Sequence, residues 1–251
     1  MKIIFNFILM ILISITFLTN NILNANEREF LVPVDTWAPF RIQNDNKYTG
    51  IDFDVLSEIE KRLDLKIKIK KTPWARSLLN MKSGKVDGMT GLAKRKERAE
   101  YMHYISPPYY TCSTVFYVKK GFSSIIKNYD DLKKHLIGQV DDSAYFTPYD
   151  NDDSLKKHSV KNEVQLVKML AVGRLKVIIG TDCQVDYDIA RMGYQDKIEK
   201  AQFRPNNNVD LYFVVSKKSS FSSDLDKISK IIKDIVDEGL VKEFANKYYK
   251  K

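Results

Sequence analysis

The sequence predicts an α/β protein of two lobes, each with a mainly parallel sheet flanked by helices, and with a cleft between the lobes. One observation behind this fold class is that strand-like and helix-like patterns alternate along the chain, which is typical of helix-covered parallel sheets. The other is that a second alternating unit follows the first without a Gly/Ser linker. Short connections near 110–115 and 205–210 are therefore expected to join the lobes.

The first unit begins with an apolar strand at 30–34 and a polar loop at 35–49. Gly50 then opens a helix whose apolar residues recur on one face. They are Val55, Leu56, Ile59 and Leu63. Residues 65–70 alternate apolar and basic side chains, which is the two-residue period of a strand. This order predicts a largely parallel sheet, and such sheets bind ligands at the carboxyl ends of their strands.

The segment 73–110 predicts a helix, a turn, a short strand at 86–89 and a polar loop that leads into a second helix. Thr90 and Gly91 fall in the loop, and Arg98 lies near the start of the second helix. A hydroxyl, a glycine N–H, a helix N-terminus and a guanidinium are donors that suit a small carboxylate. The segment therefore predicts an anion site.

The second unit continues the alternation, and the chain ends in two amphipathic helices separated by Gly239. Its predicted strands lie at 114–118, 136–140, 177–179 and 211–215, and its predicted helices at 129–136, 163–172, 225–235 and 241–248. We expect one lobe at 26–111, a second lobe at 112–208, and a return to the first lobe at 209–251.

The first 25 residues have the pattern of a secretory signal. Met1-Lys2 is followed by an apolar run to about Leu18, and the small residue Ala25 precedes a charged stretch. A retained membrane anchor is the alternative, but the apolar run is shorter than the roughly 20 residues that cross a bilayer. No cysteine lies near the expected cut after Ala25, which argues against a lipid anchor. The pattern predicts export to the periplasm.

The formal charge of +9 comes from Lys-rich patches spread along the chain and interleaved with acids. A nucleic-acid-binding protein would show a concentrated basic face. Export also argues against that class, so no nucleic-acid partner is expected.

Catalytic and metal motifs are not found in the sequence. It lacks G-x-S-x-G, H-E-x-x-H and the phosphate-binding P-loop, and its three histidines have no metal-ligand spacing. Cys112 and Cys183 are either one disulfide or two buried free thiols, and the sequence favours free thiols. We therefore expect no catalytic residue, metal or cofactor.

Six pieces of the chain, in order and spacing, resemble the type 2 periplasmic solute-binding proteins, family 3, which serve ABC transporters for polar amino acids. They are VDTWAPF at 34–40, GIDFDVLSEIEKRL at 50–63, LLNMKSGKVDGM at 78–89, KERAEY at 96–101, SPPYY at 106–110 and the terminal EGLVKEFANKYY. The resemblance covers about residues 29–249. It implies the two-lobed fold of periplasmic binding proteins, with a ligand between the lobes.

For the first lobe, the resemblance implies that Trp37 and Trp74 pack on either side of the ligand, although either indole would also suit a core. Arg98 matches the position that binds the ligand carboxylate, and Thr90 and Gly91 match positions that complete its binding. Ala93 departs from the pattern, because a hydroxyl is common there.

For the second lobe, the resemblance implies a turn in which Ser143 presents a hydroxyl, although Asp142 stands in place of the usual glycine. The acid that receives the ligand ammonium corresponds to Thr181 or Asp182, and Asp182 is the expected choice. Arg76 either reaches the cleft, where it would favour an acidic ligand side chain, or pairs with a surface carboxylate.

The resemblance implies a monomeric binding protein that captures an amino acid or related carboxylate by hinge closure and delivers it to an ABC transporter permease. One alternative is an enzyme on the same fold, similar to periplasmic dehydratases of prephenate-like acids, with Glu97 or Asp182 as general acid or base. Another is a sensory binding protein that signals through a separate partner.

Overall fold

The computed structural model describes residues 28–45 and 47–249, so the predicted signal at 1–25 lies outside the described residues. The strands are β1 (Glu29–Val34), β2 (Ile42–Asn44), β3 (Lys47–Thr49), β4 (Lys66–Lys71), β5 (Gly88–Leu92), β6 (Met102–Tyr104), β7 (Tyr110–Lys119), β8 (Leu136–Val140), β9 (Lys156–Val160), β10 (Val177–Thr181), β11 (Ile198–Lys200) and β12 (Asn208–Ser216). The α-helices are α1 (Ile51–Leu63), α2 (Trp74–Ser83), α3 (Lys96–Ala99), α4 (Glu163–Ala171), α5 (Asp182–Arg191), α6 (Leu225–Asp237) and α7 (Leu240–Tyr249). Within this part of the chain, none of the helices combines the length and the apolar character that crossing a membrane requires.

The strands form a mixed arrangement of parallel and antiparallel pairs. β1 pairs with β4, and β8 pairs with both β9 and β10, in parallel. The largest sheet has the order β5-β12-β7-β10-β8-β9, with β6 beside β12 and β11 beside β7. Its antiparallel pairs involve β7 and β12, because these two strands carry the chain in opposite directions between the halves of the molecule.

The two passages between the halves lie side by side. The first four residues of β7 pair with β12, where Ser113 is the register partner of Asn208. From Thr114 onward, β7 pairs with β10 instead. We call the half that contains β1–β6, β12, α1–α3, α6 and α7 the first lobe, and the half that contains β8–β11, α4 and α5 the second lobe.

The first lobe has a core in which α1, α6 and α7 pack on β1 and β12. The helix pattern explains this packing, because Val55, Leu56 and Ile59 recur on one face of α1 and all three are buried. A neighbouring cluster fills the space among α2, β5 and β6, with Met81 and Leu92 fully buried.

The second lobe buries both faces of its sheet. Along β7, Val115 and Tyr117 pack in the cluster that contains α4 and α5, whereas Phe116 and Val118 pack in a cluster on the other face. Successive side chains of a strand point to opposite faces, so this alternation is the expected result of β7 lying inside a covered sheet.

The expectation of free thiols is wrong, because Cys112 and Cys183 form a disulfide. Cys112 is buried on β7 next to the passage between the lobes, and Cys183 lies in the first turn of α5. Their Cα atoms are 5.6 Å apart. The two cysteines are close because β7 pairs with β10, and β10 directly precedes α5. The sequence alone could not predict this contact, since the cysteines are 71 positions apart.

Strand β5 was predicted at 86–89. It begins two residues later, at Gly88. Asp87 explains the shift, because its backbone N–H donates to Leu31 O and its carboxylate accepts the Leu31 N–H. Its other carboxylate oxygen accepts from Ser219. Thr90 and Gly91 consequently lie within β5 and not in the loop.

Candidate functional site

A cavity of about 70 Å³ lies between the two lobes. Five of the residues predicted from the sequence line it: Trp37, Trp74, Gly91, Arg98 and Ser143. Thr181, the alternative to Asp182, also lines it, as do residues that the sequence did not single out, among them Asp35, Arg41, Tyr145 and Glu163. The cavity is therefore bounded by two tryptophans and by charges of both signs.

Arg98 is the most buried of the predicted charged residues, with only 4% of its surface exposed. Its guanidinium donates to the backbone carbonyls of Ala93 (3.3 Å) and Asp142, and lies 5.6 Å from the ring centroid of Trp74. Burial and the nearby charge of Arg95 lower its pKa. Among the described residues, no carboxylate forms an ion pair with Arg98, so its buried charge lacks an anionic partner in the protein.

Trp37 forms one wall of the cavity and also packs on the core. Its ring stacks on that of the buried Phe40, with centroids 4.4 Å apart and an interplanar angle of 19°. Trp37 and Arg41 exchange two backbone hydrogen bonds of 2.8 Å, and the guanidinium of Arg41 lies 5.0 Å from the indole centroid. These contacts hold the indole in one orientation.

Trp74 is the first residue of α2 and follows Pro73, so its side chain projects from the end of the helix. It is half-buried, and its indole N–H points at the carbonyl of Asp142 at 3.5 Å, at the limit of a hydrogen bond. Trp74 thus reaches the second lobe from the first.

A buried polar network supports the first-lobe side of the cavity. Asp52 on α1 has no exposed surface, and its carboxylate accepts hydrogen bonds from Arg41 (2.7 Å), Thr90 (2.8 Å) and Tyr109 (2.6 Å). Burial and the Asp52 charge raise the pKa of Tyr109 well above its usual value, so the phenol stays a donor. Arg41 also bonds to the Asp35 carboxylate and to the carbonyl of Thr90.

This network changes the role expected for Thr90. Its hydroxyl donates to Asp52, and Thr90 is not among the residues that line the cavity. A threonine at this point fixes β5 against α1.

Gly91 has a geometric reason to be glycine. Its φ is +76°, a conformation that other residues adopt at a cost. A Cβ at this position would also lie 2.9 Å from Cζ3 of Trp37 and 3.0 Å from Nη1 of Arg41. The absence of a side chain therefore lets Trp37 and Arg41 approach the strand.

The second-lobe turn keeps a left-handed conformation although aspartate replaces glycine. Asp142 has φ of 55°, which aspartate tolerates better than most residues. The carbonyls of this turn face the first lobe, since Asp142 O accepts from Arg98 and Ser143 O accepts from Arg95 at 2.5 Å. Arg95 also lies 3.4 Å from the Asp150 carboxylate. Two arginines of the first lobe thus join it to this turn.

Three other charged residues that the sequence suggested for the site are not among the residues that line the cavity. Asp182 accepts from the backbone N–H groups of Ser113 and Cys183, both at 2.8 Å, so its carboxylate ties the start of α5 to β7. Arg76 is exposed on α2, and Glu97 is exposed and paired with Arg95.

Glu163 is the acid of the second lobe that does line the cavity. Burial raises its pKa to about 7, with further contributions from the Asp35 and Asp188 charges. Its own backbone N–H and the amide of Gln184 act in the opposite direction. Asp35 lines the cavity from the first lobe, so carboxyl groups from both lobes lie on a site that also contains Arg98.

The chain is similar to known binding proteins along most of its length. A protein named "Probable amino-acid-binding protein YxeM" from Bacillus subtilis is 25% identical over 215 residues, which are 84% of this chain and 80% of that protein. The L-cystine-binding protein TcyA of the same organism is 25% identical over 216 residues, which are 85% of this chain and 78% of that protein.

Among solved structures, the amino acid ABC transporter substrate-binding protein AbpA from Streptococcus pneumoniae, bound to L-arginine, matches with a TM-score of 0.77. The identity is 19%, and the match covers 88% of this chain and 94% of that one. This likeness confirms the predicted two-lobed fold.

The family is shown by the match of a family model to nearly the whole described chain. The model is that of the bacterial extracellular solute-binding proteins, family 3, and it matches residues 32–251. The chain therefore belongs to the bacterial extracellular solute-binding proteins, family 3.

Proposed function

We propose that this protein is the periplasmic substrate-binding component of an ABC importer, and that it captures a polar amino acid or a related small carboxylate. The observation that carries the proposal is the buried guanidinium of Arg98, which lines the cavity without an anionic partner among the described residues. A buried charge is costly unless it is paired, and a ligand carboxylate would pair it.

The polarity of the site supports an amino acid over a simple acid. Arg98 offers a bidentate donor for a carboxylate, while Asp35 and Glu163 offer acceptors for an ammonium group. Trp37 and Trp74 provide flat apolar surface on the same cavity. The relatives that carry amino-acid-binding and L-cystine-binding names support the same ligand class.

Closure of the lobes is the proposed mechanism of capture. The cavity takes residues from both lobes, so a ligand gains its full set of contacts only in the closed form and shifts the population toward it. The protein would act as a monomer that is exported after cleavage behind Ala25 and presents its closed form to a permease.

A thermal-shift screen tests this function. The purified protein is heated with each standard amino acid, with L-cystine and with small dicarboxylates, and prephenate turnover is assayed in parallel. We expect at least one amino acid to raise the Tm by several degrees, because a ligand that binds only the folded state stabilises it. If none does, the transport proposal fails. Consumption of prephenate would support an enzyme instead.

A further inference from the structure

A second, larger cavity lies between the lobes beside the first. Its volume is about 440 Å³, against about 70 Å³ for the first. Arg98 lines only the first, so the contacts proposed above assign no ligand group to the second. The two spaces adjoin, because four residues line both of them: Ala93, Ala144, Tyr145 and Val209.

The first cavity is small for an amino acid. An engineered cavity of about 150 Å³ in another protein binds benzene. The first cavity has less than half of that volume in this conformation, so a ligand larger than the smallest amino acids needs further space. The adjoining cavity provides that space in the same conformation.

The passage between the two cavities is bordered by small side chains from opposite lobes. Ala93 follows β5 in the first lobe, and Ala144 lies in the turn after β8 in the second. Tyr145 is held in place beside them, since its hydroxyl accepts from the Val140 N–H at 2.9 Å and its carbonyl accepts from Asn207 at 3.0 Å. The passage therefore has one fixed aromatic wall and two methyl groups that leave room for a chain.

The second cavity carries free charges of both signs. Lys94 and Lys96 line it, both are exposed, and neither forms an ion pair among the described residues. Asp210 also lines it and is half-buried. Its carboxylate accepts from the Thr111 hydroxyl at 2.8 Å and has no ion-pair partner in the same part of the chain. The lysines can bind a carboxylate, and Asp210 can bind an ammonium group.

The other charges of this cavity are paired with one another. Arg95 lies 3.4 Å from the carboxylates of both Glu97 and Asp150. These three residues form part of the cavity wall. They leave the two lysines and Asp210 for a ligand.

We propose that the ligand is a diamino dicarboxylic acid, an extended chain with an amino-acid head group at each end. This inference rests on the proposed function and names its ligand class. One head binds Arg98 and the acids of the first cavity, the chain passes between Ala93 and Ala144, and the second head binds the two lysines and Asp210. Each cavity thus supplies donors for a carboxylate and acceptors for an ammonium group.

Calorimetry with a matched pair of probes tests the ligand class. L-cystathionine carries two amino-acid heads joined through a thioether, and L-methionine shares that chain but ends in a methyl group in place of the second head. The thioether cannot exchange with the disulfide of the protein, as L-cystine could. We expect L-cystathionine to bind about 10- to 100-fold more tightly, because only its second head reaches the charges of the second cavity.

A double variant, Lys94→Gln with Lys96→Gln, tests the contacts of the second head. Its matched control is Lys227→Gln with Lys242→Gln, which removes the same charge from exposed positions that line neither cavity. The first double variant should reduce the preference for L-cystathionine over L-methionine by about 3- to 10-fold, since two partly solvated ion pairs are lost. The control should keep the full preference.

A third variant, Ala144→Leu, tests the passage without changing any charge. The larger side chain narrows the space between the cavities, so it should also reduce the preference for L-cystathionine. The ratio of the two affinities is the quantity compared, because an effect on the first cavity alone weakens both probes together.

The inference and the proposed function fail in different ways. If L-methionine binds as tightly as L-cystathionine, or if the lysine variant keeps the full preference, the second head does not bind in the second cavity and the inference is wrong. It is also wrong if neither probe binds while another amino acid raises the Tm in the screen above. In each of these cases the binding function stands. If neither probe binds and no compound in the screen raises the Tm, the proposed function fails as well.

Discussion

Arg98 of the first lobe donates a hydrogen bond to the backbone carbonyl of Asp142 in the second lobe. The same guanidinium lies over Trp74 and bonds to the carbonyl of Ala93. A carboxylate is a stronger acceptor for a guanidinium than a neutral carbonyl is. A bound carboxylate should therefore compete with Asp142 for Arg98, and the cleft would exchange a protein contact for a ligand contact as it fills.

The first prediction concerns Arg98→Ala. Loss of a buried charged partner of the ligand typically costs about 3 kcal/mol, so the affinity should fall by roughly 100-fold. The stability of the empty protein should change little, since Arg98 bonds to two backbone carbonyls, packs on Trp74 and forms no ion pair among the described residues. Calorimetry with the amino acid identified by thermal shift checks the affinity. Arg174→Ala, on an exposed loop, is the matched control. A large loss of stability in the empty protein would mean that Arg98 is structural.

Arg95 should control how long the cleft stays closed. It bonds to Ser143 O across the cleft and lies near the Asp150 carboxylate. Arg95→Gln removes this link, which we expect to be worth about 0.5–1.5 kcal/mol. The dissociation rate in stopped-flow fluorescence should rise by about 2- to 10-fold, with a smaller effect on association. A dissociation rate equal to that of Arg174→Gln would contradict this.

Asp52→Asn should destabilise the first lobe. The substitution keeps the shape but removes the charge that pairs with the buried Arg41, and removing one partner of a buried ion pair costs about 3 kcal/mol or more. Urea unfolding should show this loss relative to Asp196→Asn, an exposed turn residue. The idea fails if the two variants differ by less than about 1 kcal/mol, the size of an ordinary surface change.

The disulfide should contribute to stability through the unfolded chain. Its cysteines are 71 residues apart, and closing a loop of that length is worth about 4 kcal/mol in the chain-entropy model. We expect a reducing agent to lower the free energy of unfolding by about 2–4 kcal/mol. A Cys112→Ala, Cys183→Ala double variant should be less stable than the oxidised wild type and insensitive to the reductant. Two titratable thiols in the unfolded, unreduced wild type would show that no disulfide forms.

The Arg98 side of the cavity could be predicted because its residues lie in one short stretch of chain. Trp74, Gly91 and Arg98 belong to a single helix-strand-helix segment, and local patterns place them near one another without knowledge of distant contacts. The residue at which β5 begins could not be predicted in this way. The placement of Thr90 depended on the contact between Asp87 and Leu31 of another strand, which has no local pattern.

The acidic side could not be predicted in the same way. An acid such as Glu163 in the first turn of a helix is usually explained by the helix dipole. Only the approach of the two lobes places it on a cavity with Asp35. The buried position of Asp52 could not be predicted for a similar reason. An acid at the start of a helix is usually exposed to solvent, and the burial of Asp52 depends on its hydrogen bonds with Arg41 and Tyr109.

The side-by-side passages of the chain between the lobes have a consequence for engineering. The chain enters the second lobe at Ser113 and leaves it at Asn208, and these residues are direct neighbours on paired strands. Joining two points that are already adjacent adds little loop-closure cost. The whole segment between them can therefore be replaced as one unit. Chimaeras that exchange it with a relative would recombine half of one recognition surface with half of another, provided that the partner for Cys112 is retained.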